Sequence, residues 1–87
     1  MELYTPLSAH EVEQIERGEG FADGTWYFVD KPDPDEANDD AVWVIMEIPE
    51  AEVVAYEDPR SGVLGYREFG LPAELATRFP VHRASSV

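Results

Sequence analysis

The sequence has no cysteine, only one lysine and no long run of apolar residues. Without cysteine the chain forms neither a disulfide nor a thiolate zinc site, and it has no thiol nucleophile. The longest uninterrupted apolar stretch covers residues 41–46, whereas a helix that spans a bilayer needs roughly 20 residues. Residues 1–6 also lack the basic and apolar regions of a signal peptide. These absences predict a cytoplasmic protein that does not enter a membrane.

Positive charge is scarce as well. Nineteen acidic side chains stand against six basic ones, which gives a net charge of −13. Residues 1–58 carry a net charge of −15 and residues 59–87 carry +2. Because nucleic-acid backbones are anionic, this balance disfavours DNA or RNA as a partner. Two interpretations of the acidity stay open: a solvating surface, such as a salt-rich cytoplasm selects, or a surface that docks a basic protein partner.

The chain has enough material for one folded domain. Eighty-seven residues are too few for two independent cores. The hydrophobic fraction of 44% is ordinary for a globular protein, so we expect the chain to fold. A single domain over residues 1–87 is predicted, with an ordered core over residues 1–83 and fraying of residues 84–87.

Two helices are predicted from local signals. Ser8 and Glu11 have the spacing of a capping box, and the helix that follows ends at Gly18 and Gly20. Residues 71–76 are typical of a short helix with Pro72 at its first position. Residues 52–56 fit either a short strand or a helical turn.

Strands are predicted where β-branched and aromatic residues cluster between turn signals. These segments are residues 3–4, 25–29, 41–48, 63–69 and 80–83. The segment 41–48 is nearly continuous in apolar residues, which is typical of a strand in the middle of a sheet. The order of elements predicts an α+β fold: a small, mainly antiparallel sheet with one N-terminal helix and a short C-terminal helix.

Several short motifs follow one another in an order that is known from one family. Residues 3–8, Leu-Tyr-Thr-Pro-Leu-Ser, lead into a helix and then into Gly-Glu-Gly-Phe at 18–21. Residues 24–30 read Gly-Thr-Trp-Tyr-Phe-Val-Asp, and residues 65–69 read Gly-Tyr-Arg-Glu-Phe, followed by Leu-Pro-Ala-Glu-Leu at 71–75. This series resembles ADP-ribosyltransferase-like domains and covers most of the chain.

The resemblance implies NAD as the cofactor and assigns candidate site residues. Glu68 stands at the position of the catalytic glutamate, and Tyr27 at that of the tyrosine that stacks on nicotinamide. Tyr4 and Thr5 are implied as further cofactor-binding residues, Thr5 standing where the family has the histidine that holds the nicotinamide ribose. Pro6 replaces the glycine that follows this histidine. The resemblance therefore implies a minimal, non-catalytic or weakly catalytic domain in which Tyr4, Thr5, Tyr27 and Glu68 line one cleft.

The residues themselves leave plainer roles open. A carboxylate such as Glu68 can stabilise an oxocarbenium-like transition state, but it also fits an ion-paired or solvated strand residue. Tyr27 fits a half-buried strand residue as well as a stacking one. The acids at positions 30, 33, 35, 39 and 40 suit either a solvated loop or a hard cation, but their spacing does not match an EF-hand loop. His10 and His82 have no partner at metal-ligand spacing, so no metal site is predicted.

A non-enzymatic function is the alternative to the transferase-like one. In this hypothesis the acidic half of the chain covers a basic surface on another protein. The candidate surface combines the acidic segment with an exposed aromatic side chain such as Trp26 or Trp43, because interaction hot spots favour tryptophan and tyrosine. Binding of this kind weakens as salt is added.

Overall fold

A computed structural model describes residues 1–32, 41–60, 63 and 65–84. The strands in these residues are β1 (Glu2–Leu7), β2 (Thr25–Val29), β3 (Val42–Glu47), β4 (Glu68–Pro72) and β5 (Val81–Arg83). They form one antiparallel sheet in the order β4-β2-β1-β3-β5. The predicted α+β fold with a mainly antiparallel sheet is confirmed. The middle strand is β1, and β3 is paired on both sides, with β1 and β5.

The predicted N-terminal helix is α1 (Ala9–Glu16), and both of its ends follow the local signals. The Ser8 hydroxyl accepts a hydrogen bond from the Glu11 N–H at 3.2 Å, and the Glu11 carboxylate accepts one from the Ser8 N–H at 2.9 Å. Gly18 has a φ of +89°, which suits the residue that follows a helix end. Its N–H and that of the next residue donate to carbonyls three and five positions upstream, both at 3.0 Å.

Two further helices with described bounds are short. The ambiguous segment is helical: α2 (Glu50–Val53) runs into a 3₁₀ turn at Val54–Tyr56. The predicted C-terminal helix is α3 (Ala73–Ala76). Pro72 is the last residue of β4 and the N-cap of α3. The sequence predicted it at the first position of the helix, which instead begins at the next residue, Ala73. No helix in the described ranges has the length and apolar character to cross a bilayer.

The prediction of a strand over residues 63–69 is wrong in its first part. Gly65 has a φ of +82°, a conformation that a regular strand does not contain. At Arg67 the backbone is tied to Asp30: the Asp30 N–H donates to the Arg67 carbonyl at 3.1 Å, and the Arg67 N–H donates to the Asp30 carboxylate at 2.9 Å. Regular pairing with β2 begins only at Glu68, and β4 continues through residues that the sequence assigned to a helix.

The hydrophobic core lies on one face of the sheet, beneath the helices. The sheet contributes Leu3, Leu7, Phe28, Val44, Met46, Phe69 and Leu71. The helices and connections contribute Val12, Phe21, Ile48, Val53, Ala73, Leu75 and Ala76. Side chains alternate between the faces of a strand, so the fold has two layers and leaves the other sheet face outside the core.

The two outer strands end the sheet differently. Beside β4, Glu57 forms an isolated antiparallel bridge with Phe69, and the Asp58 N–H donates to the Glu68 carbonyl at 2.7 Å. On the other side β5 has three residues and follows Pro80. The Ala84 N–H still donates to the Trp43 carbonyl at 2.9 Å. The other residues of the segment predicted to fray, 85–87, lie outside the described part of the chain.

The capping box predicts the cost of removing it. Ser8→Ala deletes the acceptor for the Glu11 N–H, and we expect the free energy of unfolding to fall by about 1 kcal/mol. Urea denaturation followed by circular dichroism measures this. Ser8→Asp keeps an N-cap acceptor and is the control, for which we expect a clearly smaller loss. Equal losses in the two variants would show that the cap contributes nothing specific.

Candidate functional site

The sheet face opposite the core is the candidate site and is called here the open face. The side chains that point to it alternate with those of the core. They are Glu2, Tyr4, Pro6, Thr25, Tyr27, Val29, Trp43, Ile45, Glu47, Glu68, Gly70, Pro72 and His82. None of the hydrophobic residues in this set belongs to the hydrophobic core cluster or is among the half-buried hydrophobic residues that pack against it.

The middle of the open face is aromatic and aliphatic. Tyr4 on β1 lies opposite Val29 on β2 and opposite Ile45 on β3, so three adjacent strands form one apolar row. Next to this row Trp43 lies opposite Pro6. Pro6 is exposed and the other four side chains are half-buried among their neighbours. Cross-strand pairs of this type stabilise a sheet, and here they also build a continuous apolar surface.

Tyr27 is the most exposed of these aromatic residues, with 60% of its surface accessible. It lies opposite Gly70 on β4. A Cβ atom on this glycine would come within 3.2 Å of Tyr27 Cε1 and 3.6 Å of Cδ1. The ring therefore leans across the neighbouring strand over the space that the missing side chain leaves. This position keeps the ring on the sheet while much of it remains in contact with solvent.

Carboxylates border the apolar area at two places. Glu2 and Glu47 are exposed and lie opposite one another on adjacent strands, an arrangement in which like charges repel. On the β4 side Glu68 lies opposite Val29. Arg60 reaches Glu68 at 3.5 Å and Asp58 at 3.2 Å. Hydrogen bonds from Arg60 hold the pKa of the Asp58 carboxyl below its usual value.

Thr5 lies on the core side of the sheet, where only 4% of it is accessible. Its Oγ1 donates a hydrogen bond to the Tyr27 carbonyl at 2.9 Å. The Met1 carbonyl accepts a hydrogen bond from the Ile48 N–H, so residue 1 directs its backbone groups to the β3 side. The direction alternates along a strand, and the even-numbered residues of β1 therefore direct their backbone groups to β2. Pro6 is one of these and has no N–H to donate. The hydroxyl of Thr5 therefore supplies the donor that the proline lacks.

The structure brings three of the four predicted site residues to one surface. Tyr4, Tyr27 and Glu68 lie on the open face, while Thr5 points to the other face. A cleft of about 250 Å³ lies elsewhere, between the end of α1 and the connection from α3 to β5. Its lining includes Phe79 and none of the four predicted residues. The roles that the family resemblance implies for them stay predictions.

Most of the arginines are engaged within the fold, which leaves the surface acidic. Arg67 binds Glu57 at 2.9 Å and Glu50 at 2.8 Å, and these hydrogen bonds raise the pKa of its guanidinium. Arg83 joins β5 to α1 through Glu16 at 3.0 Å, and this bond lowers the pKa of the Glu16 carboxyl. The arginine-containing part of the sequence thus neutralises acids of the first part.

Among the described residues no group of three or more histidine, aspartate or glutamate side chains could hold a metal ion. Asp30 accepts the Arg67 N–H, so its carboxylate has a role in the chain connection. The other acids considered for a cation, at positions 33, 35, 39 and 40, lie outside the described part of the chain. His82 is on the open face, opposite Ile45, and His10 is exposed on α1.

The sequence interpretation missed the open face as a surface. The signal was the alternation in β2 and β3, where Tyr27, Val29, Trp43 and Ile45 occupy alternate positions. The nearly continuous apolar run of β3 obscured it, because such a run suggests burial on both sides. Trp26, the other candidate aromatic, lies on the core side and packs edge-on against Phe21 with ring centroids 5.2 Å apart.

No family model, no curated protein and no solved structure matches this chain. Its function is therefore inferred from the surface itself.

The replacement of a backbone donor by Thr5 can be tested by a double-mutant cycle. Thr5→Val leaves the Tyr27 carbonyl without this donor, and we expect a loss of about 1–3 kcal/mol in unfolding free energy. In a Pro6→Ala background residue 6 has an N–H that can donate to the Tyr27 carbonyl. We therefore expect Thr5→Val to lower the unfolding free energy by less in this background. Urea denaturation of the four proteins gives the coupling energy between the two positions. A coupling of zero would contradict the assignment.

Proposed function

We propose that this protein is a non-catalytic interaction module whose open face binds a basic surface of another protein. The observation that carries the proposal is the combination on one sheet face of an apolar patch outside the core and carboxylates at its border. Tyrosine and tryptophan dominate protein interaction hot spots, and Tyr4, Tyr27 and Trp43 supply them here. Glu2 and Glu47 have no ion-pair partner among the described residues.

The charge of the chain selects the kind of partner. At a net charge of −13 a second copy of the chain is repelled, as is a nucleic acid. A cationic protein is attracted and relieves the repulsion between Glu2 and Glu47. Charged borders mainly raise the association rate and act over a Debye length of about 8 Å at physiological salt. The apolar patch supplies the contact that persists after encounter.

The proposal is tested with a mixed basic peptide of arginine, lysine and leucine as the partner. We expect binding to weaken about tenfold or more between about 50 and 300 mM NaCl, because screening removes the attraction. Glu2→Gln combined with Glu47→Gln should weaken binding about fivefold, as two exposed charge contacts are lost. Isothermal titration calorimetry measures both effects.

A second pair of substitutions provides the matched control. Glu52→Gln with Glu74→Gln removes the same net charge from exposed positions beside the cleft that Arg78 lines, and neither residue belongs to the open face. Both pairs of substitutions reduce the long-range attraction equally, but this pair removes no direct contact with the peptide. We therefore expect a much smaller loss of affinity. Equal effects of the two pairs, or binding that ignores salt, would refute a specific acidic docking face.

A second candidate is a weakly catalytic ADP-ribosyltransferase-like domain that uses NAD. The observation in its favour is that Tyr4, Tyr27 and Glu68 share the open face, so one ligand could contact all three. The acids on this face count against it, because the pyrophosphate of NAD carries negative charge and would be repelled. For this reason it ranks below the interaction module.

A nuclear magnetic resonance titration of the labelled protein with NAD and ADP-ribose separates the two candidates. Under the second candidate, chemical-shift changes cluster at Tyr4, Tyr27 and Glu68. Under the interaction module we expect no clustered change at millimolar ligand, and the peptide titration moves the open-face signals instead. Saturable shifts with NAD that a Tyr27→Leu variant abolishes would reverse the ranking.

A further inference from the structure

The most exposed aromatic ring of the open face is held in a position that suits a flat cation. Tyr27 is 60% accessible and leans over Gly70, so its ring lies along the sheet. Glu68 is its diagonal neighbour on β4, because Tyr27 pairs with Gly70 and Val29 pairs with Glu68. Diagonal neighbours in an antiparallel pair lie about 7–8 Å apart at their Cα atoms, within reach of a long side chain.

The fold already contains an arginine site with these parts. On the core side of the sheet the guanidinium carbon of Arg67 lies 5.1 Å from the centre of the Phe69 ring. The same guanidinium donates to Glu57 at 2.9 and 3.1 Å and to Glu50 at 2.8 Å. An aromatic ring and neighbouring carboxylates therefore bind one arginine, Arg67. The ring belongs to β4, and Tyr27 lies over the opposite face of this strand.

Arginine and lysine differ in how they use such a site. A guanidinium is planar and weakly hydrated, so it stacks on a ring while its edge donates to carboxylates. An ammonium is compact and strongly hydrated, and gains less from a half-exposed ring. A carboxylate accepts several hydrogen bonds at once, so Glu68 can accept from a guanidinium in addition to its contacts within the fold, that with Arg60 among them.

We infer that the partner of the open face presents arginine rather than lysine, and that one guanidinium stacks on Tyr27 beside Glu68. This inference rests on the proposed binding of a basic protein surface and specifies its recognition chemistry. The partner is thus a protein whose contact segment carries arginine, with aliphatic groups that cover the row of Tyr4, Val29 and Ile45.

The test compares two peptides that carry four arginines or four lysines in the same frame of leucine, glycine and serine. The protein carries Trp26→Phe, so that Trp43 on the open face is the only tryptophan and its fluorescence reports binding there. We expect the arginine peptide to bind about fivefold tighter, as cation–π contacts at half-exposed sites contribute about 1 kcal/mol. Circular dichroism verifies that each variant is folded.

Substitutions at Tyr27 assign the preference to one ring. Tyr27→Leu keeps apolar bulk over Gly70 but removes the ring, and we expect the two peptides to bind with equal affinity. Tyr27→Phe keeps the ring and should keep the preference. Tyr56→Ala is the matched control: Tyr56 is 42% accessible, lines a cleft with Leu75 and Arg78 and is not a residue of the open face, so the preference should not change.

The outcomes separate this inference from the proposed function. Equal, salt-sensitive binding of the two peptides to the protein with Tyr27 intact overturns the arginine preference and leaves the interaction module standing. A preference that survives Tyr27→Leu overturns the role of Tyr27. Binding of neither peptide at low salt overturns both the inference and the proposed function.

Discussion

The central strand of the sheet contains a proline, and the architecture depends on how this is accommodated. Proline is normally confined to edge strands or bulges because it cannot donate to the ladder. Here Pro6 faces β2, and the hydroxyl of Thr5 donates to the Tyr27 carbonyl in place of the missing N–H. Thr5 lies on the core side between the buried Leu3 and Leu7, and the alternation of the strand places Tyr4 and Pro6 on the open face. The contact that holds β1 to β2 beside the proline thus lies on the face opposite the candidate surface, and the register of the two strands brings Tyr4 and Tyr27 to that surface.

Local signals in the sequence were sufficient for most of the elements. The capping box at Ser8 and the glycine after α1 define the first helix, and the β-branched and aromatic clusters define β2 and β3. The start of β4 could not be predicted, because residues 63–67 have strand-like composition while a positive φ at Gly65 and the tie between Asp30 and Arg67 decide their course. Contacts between segments that are distant in the sequence decide where such a strand begins, and the local composition does not reveal these contacts.

The candidate site was only partly predictable for a similar reason. Sequence motifs placed Tyr4, Tyr27 and Glu68 together, and the sheet register does bring them to one face. They also grouped Thr5 with these residues, but motifs carry no information about which face a side chain takes. Consecutive side chains of a strand point to opposite faces, so Tyr4 and Thr5 do not share one, but the predicted strand over residues 3–4 was too short to show this. The ion pairs were not predictable either. The net charges of residues 1–58 and 59–87 do not show that Arg67 and Arg83 pair with acidic residues of the first segment.

The way the sheet ends restricts how another molecule can approach it. Unpaired edge strands invite a further strand to add through its backbone, and short or covered edges prevent this. Glu57 and Asp58 bond along β4, and β5 offers three residues after a proline. Another molecule therefore finds few free peptide groups along these described edges and meets mainly side chains. Recognition by side chains does not require the partner to have an extended backbone, so a helix, a turn or an irregular segment can bind as well as a strand. The affinity then depends more on the amino-acid composition of the partner segment than on its conformation.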